Sequence, residues 1–176
     1  MCARRARALE NNNCYKITVT GAPEQRLFEY SGDYLFYLHL LKKHKFRFRI
    51  KIYGFCLTPN VVSIVLQCEA AEQLSTFMQI INQVYAFYFN AKYKRNGKLY
   101  RDRFKSILLK EEQKVWAALN EIEFSPVRLQ LVDTPWNYSW SSCYLRMAGK
   151  YGILDSLNTS ISVEDSCLNL RIATVR

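Results

Sequence analysis

Histidine is scarce in this chain: there are two, His39 and His44, and both fall in or just after a segment with helical spacing. Neither has a second histidine two residues away, the spacing at which one strand face aims two imidazoles at one ion. No two of the six cysteines, at positions 2, 14, 56, 68, 143 and 167, form a C-x-x-C pair. That excludes a zinc ribbon, and the scattered thiols read as small buried apolar groups. No run of about 18 apolar residues occurs, so no membrane-spanning helix is expected. The basic opening, Met1-Cys2-Ala3-Arg4-Arg5-Ala6-Arg7, has no apolar signal core behind it, so neither secretion nor a disulfide framework is expected and the cytoplasm is. Acidic side chains are outnumbered, 15 against 25 Lys and Arg, giving a formal charge of +10 and a pI near 9.4. That excess points to a polyanionic partner, nucleic acid first.

What is present is organised around Phe46 to Cys68. Two apolar-alternating strands are predicted there, joined by a Leu57-Thr58-Pro59-Asn60 turn. In the first, Phe46, Phe48, Ile50 and Ile52 share one face and Arg47, Arg49, Lys51 and Tyr53 the other, because strand side chains alternate with period two. In the second, Val62, Ile64, Leu66 and Cys68 form one set and Val61, Ser63, Val65 and Gln67 the other, which suits a central, well-buried strand.

Around this hairpin, Cys14 to Thr20 alternates as a strand closed by Gly21-Ala22-Pro23. Tyr34, Leu35, Leu38 and Leu41 recur at helical spacing from Asp33 to about His44, with Ser31 or Asp33 as cap. A longer stripe, Leu74, Phe77, Met78, Ile81, Val84, Tyr85, Tyr88 and Phe89, predicts a second helix. The basic segment Lys92 to Lys105 interleaves Lys92, Lys94, Arg95, Lys98, Arg101, Arg103 and Lys105 with Tyr93, Tyr100 and Phe104, a mixture suited to phosphates and unstacked bases. Asn96-Gly97 marks a turn, and Leu99 to Leu109 is predicted to return as a strand. Lys110 to Glu123 reads as a third helix burying Val115, Ala118, Leu119 and Ile122, and Pro126 ends it. Residues 150–176 show no firm period. The order strand, helix, two strands, helix, strand, helix is that of an α+β, ferredoxin-like fold: an antiparallel sheet with helices on one face plus an additional C-terminal helix. The chain divides into a basic leader (1–13), one domain (14–148) and a C-terminal tail (149–176).

Three stretches resemble the single-tyrosine transposases of bacterial insertion sequences, the REP-associated type included. They are Gly54-Phe55-Cys56-Leu57-Thr58-Pro59-Asn60 before an apolar strand, Gly97-Lys98-Leu99-Tyr100-Arg101-Asp102-Arg103-Phe104-Lys105-Ser106, and Tyr138-Ser139-Trp140-Ser141-Ser142-Cys143-Tyr144. The resemblance spans residues 14 to 148 and implies a ferredoxin-like fold, a DNA partner that is single-stranded or hairpin, and a monomer or homodimer. In that family a His-apolar-His triplet after the Pro-Asn turn binds a divalent metal, Mg or Mn, and a tyrosine in Tyr-Ile-x-x-Asn-Pro-Val-Arg attacks the DNA phosphate. Here the matching residues are Val61, Val62 and Ser63, and Glu121-Ile122-Glu123-Phe124-Ser125-Pro126-Val127-Arg128.

Valine offers no lone pair to a cation, and a neutral serine hydroxyl is a poor stand-in for imidazole. A carboxylate nucleophile would give an acyl phosphate, and its charge repels DNA. The resulting expectation is a DNA-binding protein with catalysis lost, Val61, Ser63 and Glu121 being the degenerate positions and no cofactor expected. Phosphate contacts are assigned to Arg47, Arg49, Lys51, Arg95, Lys98, Arg101, Arg103 and Lys105, and base stacking to Tyr93 or Tyr100. Two rivals stand beside it. One is an active strand transferase with a metal on Glu69 or Glu121 and Tyr53 as nucleophile; the other is an RNA-binding or protein-interaction module.

Overall fold

Strand β1 (Asn13–Thr20) alternates buried Tyr15, Ile17 and Val19 with half-buried Lys16 and Thr18, so one of its faces makes core and the other carries polar groups. It is followed by α1 (Ser31–Lys45), β2 (Ile50–Leu57), β3 (Val61–Cys68), α2 (Ala71–Lys92), β4 (Lys105–Leu109) and α3 (Glu112–Glu123). The computed structural model describes residues 13–157; the basic leader before Asn13, the tail from 158 onward, Cys2 and Cys167 lie outside them. The strands form one antiparallel sheet in the order β2-β3-β1-β4, the ferredoxin-like arrangement. No helix among the described residues is long and apolar enough to cross a membrane.

The larger core lies between one sheet face and helices α1 and α2. Leu74, Phe77, Met78, Ile81, Tyr85 and Phe89 of the predicted α2 stripe are all buried, each contributing about 1.5 to 3 kcal/mol by area. On α1 the buried set is Tyr34, Tyr37, Leu40 and Leu41, while Leu35 is 59% exposed. Aromatic packing sets this rotation: Phe28 stacks on Tyr34 at 4.3 Å, and Tyr37 meets Tyr85 edge-on at 5.0 Å. The Asp33 carboxylate accepts the backbone N–H groups of Glu29 and Tyr30 at 2.9 and 3.0 Å, which fixes the start of α1.

The predicted strand from Phe46 is corrected. The chain remains helical through Phe46, turns over residues 46–49, and enters β2 only at Ile50, with Arg49 in the left-handed region at φ 49°. Phe46 is 75% exposed while Phe48 tucks against Phe77 at 6.1 Å, so the period-two pattern of this stretch comes from a helix end and its turn. Likewise β4 is shorter than predicted. Leu99, Tyr100 and Arg101 instead run past the end of β1, where Leu99 accepts from Ala22 N–H and Arg101 N–H donates to Thr20.

The second sheet face is covered by α3, whose Val115, Ala118, Leu119 and Ile122 pack on Tyr53, Cys56, Val65 and Leu109. A bulge at Tyr53 shifts the β2–β3 register between Ile52 and Gly54, so Tyr53 and Gly54 both serve this face. Gly54 is required there: a Cβ would lie 2.5 Å from Leu119 Cδ2 and 3.0 Å from Ser142 Oγ. Beyond α3 come the short α4 (Ser125–Arg128), with Pro126 in its first turn, and α5 (Ser142–Met147). Ile153 joins the larger core, and Asp155 bonds both the N–H and the carbonyl of Ile52 at the β2 edge.

Candidate nucleic-acid interface

Pairing puts Thr18 opposite Ser63 and Lys16 opposite Val65; on the other side of β1, Lys105 faces Thr18 and Ile107 faces Lys16. Partners in an antiparallel pair share a face, so Lys105, Thr18, Ser63 and Cys56 form one row across the sheet, on the side where α3 lies. Glu121, near the end of α3, reaches down to this surface and pairs with Lys16 at 2.5 Å. One helical turn later the Ser125 hydroxyl donates to Ile122 O and lies 3.4 Å from Cys56 Sγ. The end of α3 therefore crosses above Ser63. Burial pushes the Cys56 thiol up to about 12, the Ser125 contact opposing it only in part, so that thiol stays protonated and inert.

Val61, Ser63 and Glu121 are thus brought to one surface, and their chemistry does not fit a divalent cation. Val61 has no donor atom, Ser63 offers a neutral hydroxyl, and the Glu121 carboxylate is held by an ammonium. No group of three or more His, Cys, Asp and Glu side chains is placed to hold an ion among the described residues. His39 and His44 sit on α1, across the sheet. The structure keeps the rival donors apart. Glu69 follows the far end of β3, about 26 Å along the strand from Val61, where it pairs with Arg49. The Tyr53 hydroxyl donates to Gln67 Oε1, and burial, with Cys14 and Asp155 adding to it, pushes its pKa up to about 12. The hydroxyl hydrogen bond goes to a neutral amide oxygen, not to a base that could activate the phenol.

The predicted cations do not form one surface. Arg47 and Arg49 lie in the turn before β2, and Lys51 faces Gln67, so all three stand at the opposite end of the sheet from Ser63. Lys105 alone is in its row. Lys98, Arg101 and Arg103 line an open groove of about 1270 Å³ against α2, whose wall presents Ser75, Thr76, Gln79 and Asn82. Arg95 lies over the Phe89 ring at 5.8 Å. Neither predicted stacking ring is free. Tyr93 donates to Asp33 at 2.7 Å and lies beside Tyr30, and the Tyr100 hydroxyl is buried without a partner, which raises its pKa.

Several residues of the site were not singled out by the sequence pattern. Lys16 and Thr18 were legible as the polar face of β1, but only the pairing of β1 with β3 and β4 places them beside Ser63. Buried Glu123 receives hydrogen bonds from Ser142 and Arg146, and Arg146 also donates to Tyr53 O at 2.6 Å. This network ties α3, α5 and the bulge together.

The sheet order, with a helix laid across the face of the strand that follows the Pro59-Asn60 turn, defines a ferredoxin-like domain whose site is carried on the sheet itself. A family model described as "Transposase IS200 like" matches residues 11–117, and the chain belongs to that family. The matched span includes Val61 and Ser63 and ends before Glu121. A solved structure of a REP-associated tyrosine transposase bound to a REP hairpin superposes with a TM-score of 0.71 at 15% identity, covering 92% of this chain and 95% of that one. At that identity the likeness shows the fold. A candidate transposase from Deinococcus radiodurans R1 aligns with a TM-score of 0.45 at 11% identity, over 65% of this chain and 92% of its own, too distant to carry an argument. No curated protein matches the chain.

Proposed function

We propose that this transposase-family chain binds DNA, as single strands or hairpins, and does not cut it. The observation that carries the reading is the Lys16–Glu121 pair, 2.5 Å apart, on the sheet face that presents Val61 and Ser63. At the place where a phenol would have to approach a phosphate, the side chain is an anion already neutralised by an ammonium. Attack by that carboxylate would be opposed by charge repulsion from DNA and would end in a labile acyl phosphate. Binding itself is supported by the net charge of +10, by the cations of the Lys98 to Lys105 segment, and by a structural neighbour whose partner is a hairpin.

Incubating the protein with end-labelled hairpin DNA and Mn²⁺ tests both halves. A native gel shift with no covalent adduct on a denaturing gel is expected. An adduct that survives denaturation would overturn the non-cutting half, and equal affinity for structured RNA, duplex DNA and hairpin DNA would overturn the DNA preference.

A further inference from the structure

The row beneath α3 holds more than the remains of a cutting site. Thr18 and Ser63 are half-buried side by side, and neither hydroxyl has a hydrogen-bond partner among the described residues. Lys105, next in the row, is exposed and likewise without a partner among them. Lys16, two residues along β1 on the same face, is the contrast: its side chain is 14% exposed and its ammonium is held by Glu121, which is 50% exposed. Thr18 is flanked across the sheet by Lys105 on one side and Ser63 on the other, with Lys16 two residues along its own strand and about 7 to 8 Å from Lys105 at the backbone. Two free hydroxyls beside two ammonium groups make a surface for a phosphodiester. Nothing in that set requires a metal.

We infer that Lys16, Thr18, Ser63 and Lys105 form a metal-independent phosphodiester subsite, and that Glu121 is an internal counter-anion that competes with DNA phosphate for Lys16. The inference rests on the DNA-binding reading above and adds where one phosphate sits and what regulates access to it. Its physical basis is the burial of Lys16. A charge on a side chain this far buried costs free energy unless an anion accompanies it, so Glu121 supplies that anion in the free protein and a backbone phosphate replaces it in the complex. Because Glu121 is half exposed, it can swing into solvent without being buried elsewhere.

The test is fluorescence anisotropy with a labelled hairpin and a labelled single strand. It compares the wild type, Glu121→Gln, Lys16→Gln, the double variant, and Glu111→Gln as a control. Glu111, ten residues earlier beside α3 and about 15 Å away, is likewise paired with a lysine, Lys114 at 2.7 Å, so its loss reports the effect of removing one charge and freeing one ammonium away from the row. Glu121→Gln is expected to bind on the order of three- to tenfold more tightly than Glu111→Gln, with affinity the same in EDTA as in Mn²⁺. In the Lys16→Gln background the extra gain should vanish. Lys16→Arg, which keeps the charge, should retain it and covers the event that Lys16→Gln folds poorly. If the wild type binds DNA but Glu121→Gln gains no more than the control, or if the gain persists without Lys16, the subsite is wrong while the DNA-binding reading stands. If no variant binds any DNA, both fall.

Discussion

Asp33 is fully buried, and its carboxylate gathers Lys92 at 2.6 Å, Tyr93 at 2.7 Å, Tyr88 at 3.1 Å and the two backbone N–H groups that start α1. Burial alone would raise its pKa, but the hydrogen bonds from Lys92, Tyr93, Tyr30 and Glu29 outweigh it and hold the pKa below the ordinary 3.8. A group with a depressed folded pKa stabilises above its unfolded value, and that contribution is lost as pH falls through the folded one. Asp33→Asn is therefore expected to lose about 3 kcal/mol at neutral pH and to show a flatter decline of stability below pH 3.8, measured by urea denaturation across a pH series. Gly54 is the second residue whose identity is dictated by contact. Gly54→Ala drives a methyl into Leu119 Cδ2, and overpacking of this kind should cost about 1 to 3 kcal/mol, seen as a lower urea midpoint at unchanged slope.

Elements meet through buried polar links as well as apolar faces. Arg146 of α5 joins Glu123 of α3 to the backbone of the β2 bulge, and removing one partner leaves the other charged and buried. Arg146→Ala should cost about 3 to 5 kcal/mol, whereas Arg146→Met with Glu123→Leu should recover a good part of it, a comparison that thermal melts of the three proteins would make. None of this was legible in the sequence. Helix α2 was, because eight apolar positions kept one helical period, six of which are buried while Val84 is exposed, and so was β3, whose two apolar sets suit a central strand. The start of β2 was not: alternating Phe and Arg across residues 46–49 satisfies a strand period, but the end of α1 and a left-handed Arg49 claim those residues. Similarly, Val61, Ser63 and Glu121 could be singled out by resemblance, while the Lys16 that pairs with Glu121 required the strand register.

On the scale of the molecule, the cations assigned to DNA stand at two ends of the sheet. At one end Arg49 is spent on Glu69, and Lys51 stands four residues along β3 from the Ser63 row, about 13 Å away. At the other, Lys98, Arg101, Arg103 and Lys105 follow one another along a single segment that borders both the α2 groove and the sheet-face row. A strand of DNA tracking that segment would release counterions from about four phosphates, so log affinity for a single strand should fall against log salt with a slope of about −3. The two ends then make opposite predictions. Arg103→Gln or Lys105→Gln should make the slope shallower by about 0.7 each, and Lys51→Gln should leave it unchanged, as anisotropy titrations across a salt series would report. Equal slope changes from both ends would mean that DNA spans the whole sheet. The turn before β2 and the first residues of that strand would then have to be read as a second contact surface, with Arg47 and Lys51 restored to it.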